Sequence, residues 1–179
     1  EKKQIITCLP PTGLAILNCD DETVWGLQQS TAARVISAGI HPASDARMGN
    51  VTIQYSLVTD NAMPEGIHST IHYQNEQAVL HAKVVLGEAY VQSALYAVIV
   101  AHEYGIPLQE ACFRISGTTP APGRLRLIAG IKHTMLLDDS YNASPRAMSL
   151  ALATLKNIRM HAQSEKFAIL GDMRELGSI

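Results

Sequence analysis

Apolar positions along the chain fall into three textures, and each predicts a different element. Leu14 to Asn18 is a short unbroken apolar run after the turn residues Pro10, Pro11, Thr12 and Gly13, so it reads as a buried strand, as does Ala33 to Ser37. Asp20 is placed to cap a short helix running to Gln28. From Val51 to Leu86 the texture becomes alternation: Val51, Ile53, Tyr55 and Leu57, then Ile67 to Tyr73, then Val79 to Leu86. Loops at Pro64-Glu65-Gly66 and Asn75-Glu76 separate these runs, which together predict an antiparallel meander. Helical spacing follows. Val91, Leu95, Val98, Ile99 and His102 share one face of a helix from Val91 to Tyr104, which Gly105 stops. Pro107 then opens a second helix as a first-turn proline.

Ser116 to Gly123 is a stiff, helix-free connector and predicts a domain boundary, with one domain over 1–121 and another over 122–179. Strands are expected from Arg124 to Ile128 and from Lys132 to Leu137, around Gly130. Ser144 reads as the N-cap of a helix from Arg146 to Ile158, with Pro145 at its first position and Met148, Leu152 and Leu155 as its core stripe. Phe167-Ala168-Ile169 reads as the first strand of a further α/β unit. The class is α/β: part of a mostly parallel sheet carrying an antiparallel meander, then the start of a Rossmann-like domain.

Composition narrows the function classes. The net charge is −2 without blocks of like charge, so nothing supports a nucleic-acid partner. Asp, Glu, Lys or Arg interrupts every apolar run before it could cross a bilayer, which argues against membrane insertion. Cys8, Cys19 and Cys112 are odd in number and widely spaced, so they read as buried thiols of a reducing cytoplasm. The chain opens at Glu1 and ends at Ile179 beside a new α/β unit, which leads to the expectation of a piece trimmed at both ends.

The densest chemistry lies in Asp138-Asp139-Ser140-Tyr141-Asn142-Ala143-Ser144-Pro145, between a strand and a helix. Open α/β sheets bind ligands at such turns. A second string, Gly171-Asp172-Met173-Arg174-Glu175-Leu176-Gly177, follows the next apolar run. Elsewhere the signals are weaker. Asp20 and Asp21 are a metal-ligand pair or a helix cap. His68 and His72 share a strand face without enough converging ligands for zinc, and read as exposed sheet histidines. Ser140 lacks the small-residue elbow of a hydrolase nucleophile.

The two strings resemble those of the Mur ligases, in the branch that adds D-alanyl-D-alanine to UDP-N-acetylmuramoyl-tripeptide. Pro122-Gly123-Arg124 is similar to that family's hinge, Leu9-Pro10 through Asp21 to a strand and turn of its central domain, and Leu86-Gly87 with Ala94, Leu95 and Ala97 to its long helix. The resemblance implies the rear of a central ATP-binding domain over 1–121, then a hinge and the first part of a Rossmann-like C-terminal domain over 122–179. It also implies a cytoplasmic, monomeric enzyme that uses ATP and Mg²⁺ to join D-alanyl-D-alanine to UDP-N-acetylmuramoyl-tripeptide through an acyl phosphate. The family's phosphate loop ends in Gly-Lys, a dipeptide this chain does not contain, so the chain alone is expected to be inactive.

Residue by residue, the resemblance implies that Arg124 and Asp139 contact the nucleotide, Asp139 at its ribose. For Arg124 the alternative is a hinge salt bridge, and for Asp139 an acid at a helix N-terminus. Asn142 and Ser144 fall at nucleotide-contacting positions, although Ser144 suffices as a cap. Lys2 aligns with a carbamylated lysine that holds Mg²⁺, the alternative being a solvated lysine. After Gly87 the family shows His-Asn and then a further Asn, where this chain has Ala89, Tyr90 and Ser93. Either Glu88 or Tyr90 then substitutes at the nucleotide, or the protein handles nucleotide poorly.

Overall fold

The computed structural model describes residues 3–56, 63–132, 134–160 and 164–173. Its elements in chain order are α1 (Lys3–Thr7), β1 (Leu14–Asn18), α2 (Glu22–Trp25) running into a 3₁₀ turn (Gly26–Ser30), β2 (Arg34–Gly39), β3 (Ala46–Met48), β4 (Thr52–Tyr55), β5 (Pro64–Tyr73), β6 (Glu76–Lys83), α3 (Glu88–Glu103), α4 (Leu108–Ser116), β7 (Arg126–Ala129), β8 (Met135–Asp138) and α5 (Pro145–Asn157). The strands hydrogen-bond in the order β1-β2-β3-β5-β4, with β6 on β5, and β7 pairs with β8 in a separate ribbon. The class is α/β, as the patterning predicts.

The chain forms two compact units, and β5 and β6 contribute residues to both. The first unit contains 1–50, 69–80 and 91–115. Here β1, β2 and β3 run parallel, and β3 meets the end of β5 antiparallel, Ala46 opposite Tyr73. Ala15, Leu17, Ile36 and Ala38 are buried on the parallel strands, as are Val91, Leu95, Val98 and Ile99 on α3 and Leu108, Ala111 and Cys112 on α4. Burying each of the larger side chains contributes roughly 1.5–3 kcal/mol, which holds α3 in place more firmly than its intrinsic propensity does. Gly105 ends α3 with φ +85°, the left-handed conformation that glycine adopts without penalty. Ser69, a fully buried hydroxyl, is satisfied by donating to the Gly49 carbonyl at 3.0 Å.

The second unit contains 51–68, 81–90 and 116–179. β4 lies antiparallel to the first half of β5, Ile53 opposite Ile67. Pro64-Glu65-Gly66 forms the start of β5 rather than the expected loop. Proline is tolerated as the first residue of a strand, and Gly66 leaves space for the Ala82 carbonyl, where a Cβ would collide. β7 and β8 pair antiparallel, Leu127 opposite Leu137, and lead through a turn into α5.

Several expectations are corrected. Asp21, not Asp20, caps α2, accepting the Thr23 and Val24 amides at 3.0 and 3.1 Å. The meander's turn is Gln74-Asn75, one residue earlier than expected. β3 was not predicted, because three residues are too few to show a period. Phe167-Ala168-Ile169 is not a strand and is exposed, since an apolar run becomes a strand only with a ladder partner and none among the described residues pairs with it. The α5 stripe is not buried: Met148 and Leu155 are half-buried and Leu152 is exposed. Of the cysteines only Cys112 is buried, and there burial pushes its thiol up to about 11; Cys8 is exposed and Cys19 half-buried. Val51 and Tyr55 of the first alternating run are described, whereas Leu57 lies outside the described residues.

Candidate functional site

In the second unit the turn after β8 folds back onto the segment before β7. Gly123 and Leu125 both adopt positive φ, +71° and +49°. A Cβ on Gly123 would lie 2.7 Å from the Tyr141 amide nitrogen, so glycine is required there on both counts. The two acids of the string hold this bend. Asp138 accepts the Gly123 amide through Oδ2 at 3.1 Å and the Ser140 amide through Oδ1 at 3.2 Å. Asp139 accepts the Leu125 amide through Oδ1 at 3.2 Å, and the Tyr141 amide donates to the Gly123 carbonyl at 3.3 Å. Arg124 is thereby turned outward, its guanidinium over the Tyr141 ring at 4.2 Å from the centroid. That geometry is a cation–π contact. Leu125 closes the other side, its carbonyl accepting the Leu86 amide at 3.2 Å.

The adjacent carboxyls are tuned in opposite directions. The hydroxyl and amide of Ser140 hold Asp138 below the usual carboxylate range, helped by the Gly123 amide and the charge of Arg126. Burial pushes Asp139 up, with the charge of Asp138 adding to it, against the Leu125 amide and Arg124. Paired acids whose environments separate their titrations are a signature of functional sites, although structural networks produce it too.

Arg124, Asp139 and Tyr141 are thus brought together. Asn142 and Ser144 continue the same turn with their side chains on local backbone. The Asn142 Oδ1 accepts the Ala143 amide at 2.8 Å, and Ser144 caps α5 by accepting the Ala147 amide at 3.2 Å, with Pro145 at the first helical position. The Tyr90 hydroxyl is hydrogen-bonded to the Thr118 hydroxyl at 2.9 Å. Lys2 lies outside the described residues. The sequence marked Asp138 and Tyr141 as members of the string without assigning either a role, and it did not single out Leu125. The signal for them was Gly123 after Pro122, which marks a bend that something must brace.

In the first unit Asp20 accepts the Ile40 amide at 2.8 Å, and Asp21 is the helix cap. The pair is therefore engaged with backbone. Among the described residues no three His, Cys, Asp or Glu converge on a metal position, so these residues alone do not fit a divalent ion.

No protein-family model matches the chain. Its sequence is 29% identical over 179 residues to the UDP-N-acetylmuramoyl-tripeptide--D-alanyl-D-alanine ligase of Mycobacterium tuberculosis (strain ATCC 25618 / H37Rv), covering 98% of this chain and 33% of that protein. It is 30% identical over 178 residues to the ligase of the same name from Bacillus subtilis (strain 168), covering 99% and 35%. The chain is similar in sequence to these Mur ligases. It spans about a third of the length of the curated relatives it matches. The solved structure of MurF from Acinetobacter baumannii superimposes with a TM-score of 0.72 at 23% identity, over 88% of this chain and 32% of that one. MurF from Thermotoga maritima in complex with ADP gives 0.70 at 16%, over 87% and 33%. These likenesses support the Mur-type α/β fold; at such identities they carry nothing about ligands.

Proposed function

We propose that the protein to which this chain belongs is an ATP-dependent amide ligase of peptidoglycan precursor synthesis. It joins D-alanyl-D-alanine to UDP-N-acetylmuramoyl-tripeptide in the cytoplasm, as a monomer. The observation that carries the reading is the brace between Asp138-Asp139-Ser140-Tyr141 and Gly123-Arg124-Leu125, in a chain whose similarity to these ligases runs along nearly its whole length. The composition boundary at Pro122 is kept as the hinge between the two proposed domains, 1–121 and 122–179.

In this reaction a substrate carboxylate attacks the γ-phosphate of ATP and ADP leaves. The incoming amine then attacks the acyl carbon of the resulting acyl phosphate and displaces inorganic phosphate, forming the amide. The chain's part is positioning and charge. Arg124, stacked on Tyr141, presents a planar fork of donors to phosphate or ribose oxygens. Asp139, with Oδ1 on the Leu125 amide, offers Oδ2 to a ribose hydroxyl. Asn142 lies at the open side of the same turn, and the α5 N-terminus capped by Ser144 favours an anion nearby. Mg²⁺ supplies charge neutralisation when bound; the proposed holder is Lys2 as a carbamate.

The deciding experiment is phosphate release by the full-length protein with ATP, Mg²⁺ and UDP-N-acetylmuramoyl-tripeptide, with and without D-alanyl-D-alanine. Release that requires the dipeptide establishes the reading. Release with a different amine acceptor reassigns the substrate. A second reading rests on Ala89, Tyr90 and Ser93, which replace the family's His-Asn and Asn, and on the engagement of the Tyr90 hydroxyl by Thr118. It makes the protein a non-catalytic Mur-like binding domain. Folded full-length protein that binds no nucleotide and releases no phosphate decides for it.

A further inference from the structure

The meander holds a feature that the ligase reading does not use. β5 and β6 are joined by the two-residue turn Gln74-Asn75, so they run antiparallel. Counting five residues back from Tyr73 and five forward from Glu76 sets His68 opposite His81. The side chains agree: their ring centroids are 5.9 Å apart, the planes tilted by 38°. The Nδ1 atom of His68 is buried and has no hydrogen-bond partner. A buried ring nitrogen left unpaired is costly, and a partner for it would be stabilising. Thr52 of β4 flanks the pair, directly opposite His68 on its other side. His81 is exposed, so solvent reaches the pair from that side.

We propose that His68 and His81 form a two-histidine site for a late first-row transition ion, with Zn²⁺ as the fitting probe. Imidazole is a ligand of choice for Zn²⁺, Ni²⁺ and Cu²⁺ and a poor one for Mg²⁺. With Zn–N bonds of about 2.0–2.1 Å, a shared ion separates two imidazole centroids by about 5–6.5 Å, and the observed spacing falls inside that range. Two protein ligands leave the remaining positions to water, which the exposed side of His81 admits. The bound ion clips β5 to β6 across the hairpin and gives the orphaned nitrogen a partner. The other histidine of this face, His72, is four residues from His68 along an extended strand, too far to share the ion.

The test is zinc titration of the protein by calorimetry near neutral pH, beside a Mg²⁺ titration, with a thermal melt at each zinc level. The expected result is saturable zinc binding, no Mg²⁺ binding at this pair, and a zinc-dependent rise of the melting midpoint. Either His68→Gln or His81→Gln weakens the tightest zinc step by at least about tenfold, because the second ligand's effective concentration is lost. His72→Gln leaves it unchanged. Zinc affinity that survives His81→Gln overturns the proposal, as does the absence of saturable binding in the wild type. His81 is exposed, so that variant keeps the fold and decides the matter even if His68→Gln does not fold. Neither variant touches the proposed nucleotide turn, so failure here leaves the ligase reading standing, and the reverse holds.

Discussion

At the level of single residues, the candidate turn depends on backbone conformation and on two carboxyls with opposite tendencies. Gly123→Ala adds a Cβ at φ +71° and presses it on the Tyr141 amide. The expected cost is about 1–2 kcal/mol, read as a lower midpoint in urea denaturation. Asp139 is held above its ordinary range by burial first. A raised carboxyl keeps its proton in the folded state after the unfolded chain has lost it. Its contribution is therefore full below the ordinary carboxylate range and is lost as pH rises through the folded-state value. Asp139→Asn removes that loss, so the stability of the variant relative to wild type should rise over this window. A difference that is flat with pH would contradict the burial. Asp138 has the reverse sign: its hydrogen bonds from Ser140 stabilise above the ordinary range and are lost as pH falls. The string showed that two acids meet here, but their opposite tuning depends on which amides point at which oxygen.

Among the elements, α5 is the one most dependent on local chemistry, because none of its described residues is buried. Ser144→Ala removes the side-chain acceptor for the Ala147 amide. It should cost about 1 kcal/mol and appear as lost helical circular dichroism at intermediate denaturant. The cap and the first-turn proline were legible because they act within three residues. The stripe of Met148, Leu152 and Leu155 was legible as a pattern, but whether a stripe is buried depends on what covers it. α3 shows the contrary case, with the predicted positions Val91, Leu95, Val98 and Ile99 all buried. The cap falls on Asp21, one position after the Asp20 that the sequence pattern suggests. The backbone conformation of Asp21, φ −114° and ψ 108°, makes it the last residue before the helix.

For the molecule as a whole, the proposed chemistry predicts that Arg124→Lys in the full-length protein weakens ATP binding by about tenfold without a change in melting temperature. A lysine keeps the charge but loses the fork and the flat stacking on Tyr141. Equal affinity in the variant would leave Arg124 a surface cation of the hinge. The α/β class, the strand β1, the meander, the two helices after it and the strand-to-helix turn could all be read from residue order. Each rests on a short-range cause: a period of two or of 3.6, a glycine or proline stop, a cap within one turn. Three-residue β3, the strand identity of Pro64-Glu65-Gly66, the absence of a strand at Phe167-Ala168-Ile169, and the meetings of His68 with His81 and of Arg124 with Tyr141 could not. Those depend on partners that lie far along the chain or across a turn, and local periodicity carries no record of where such partners come to rest.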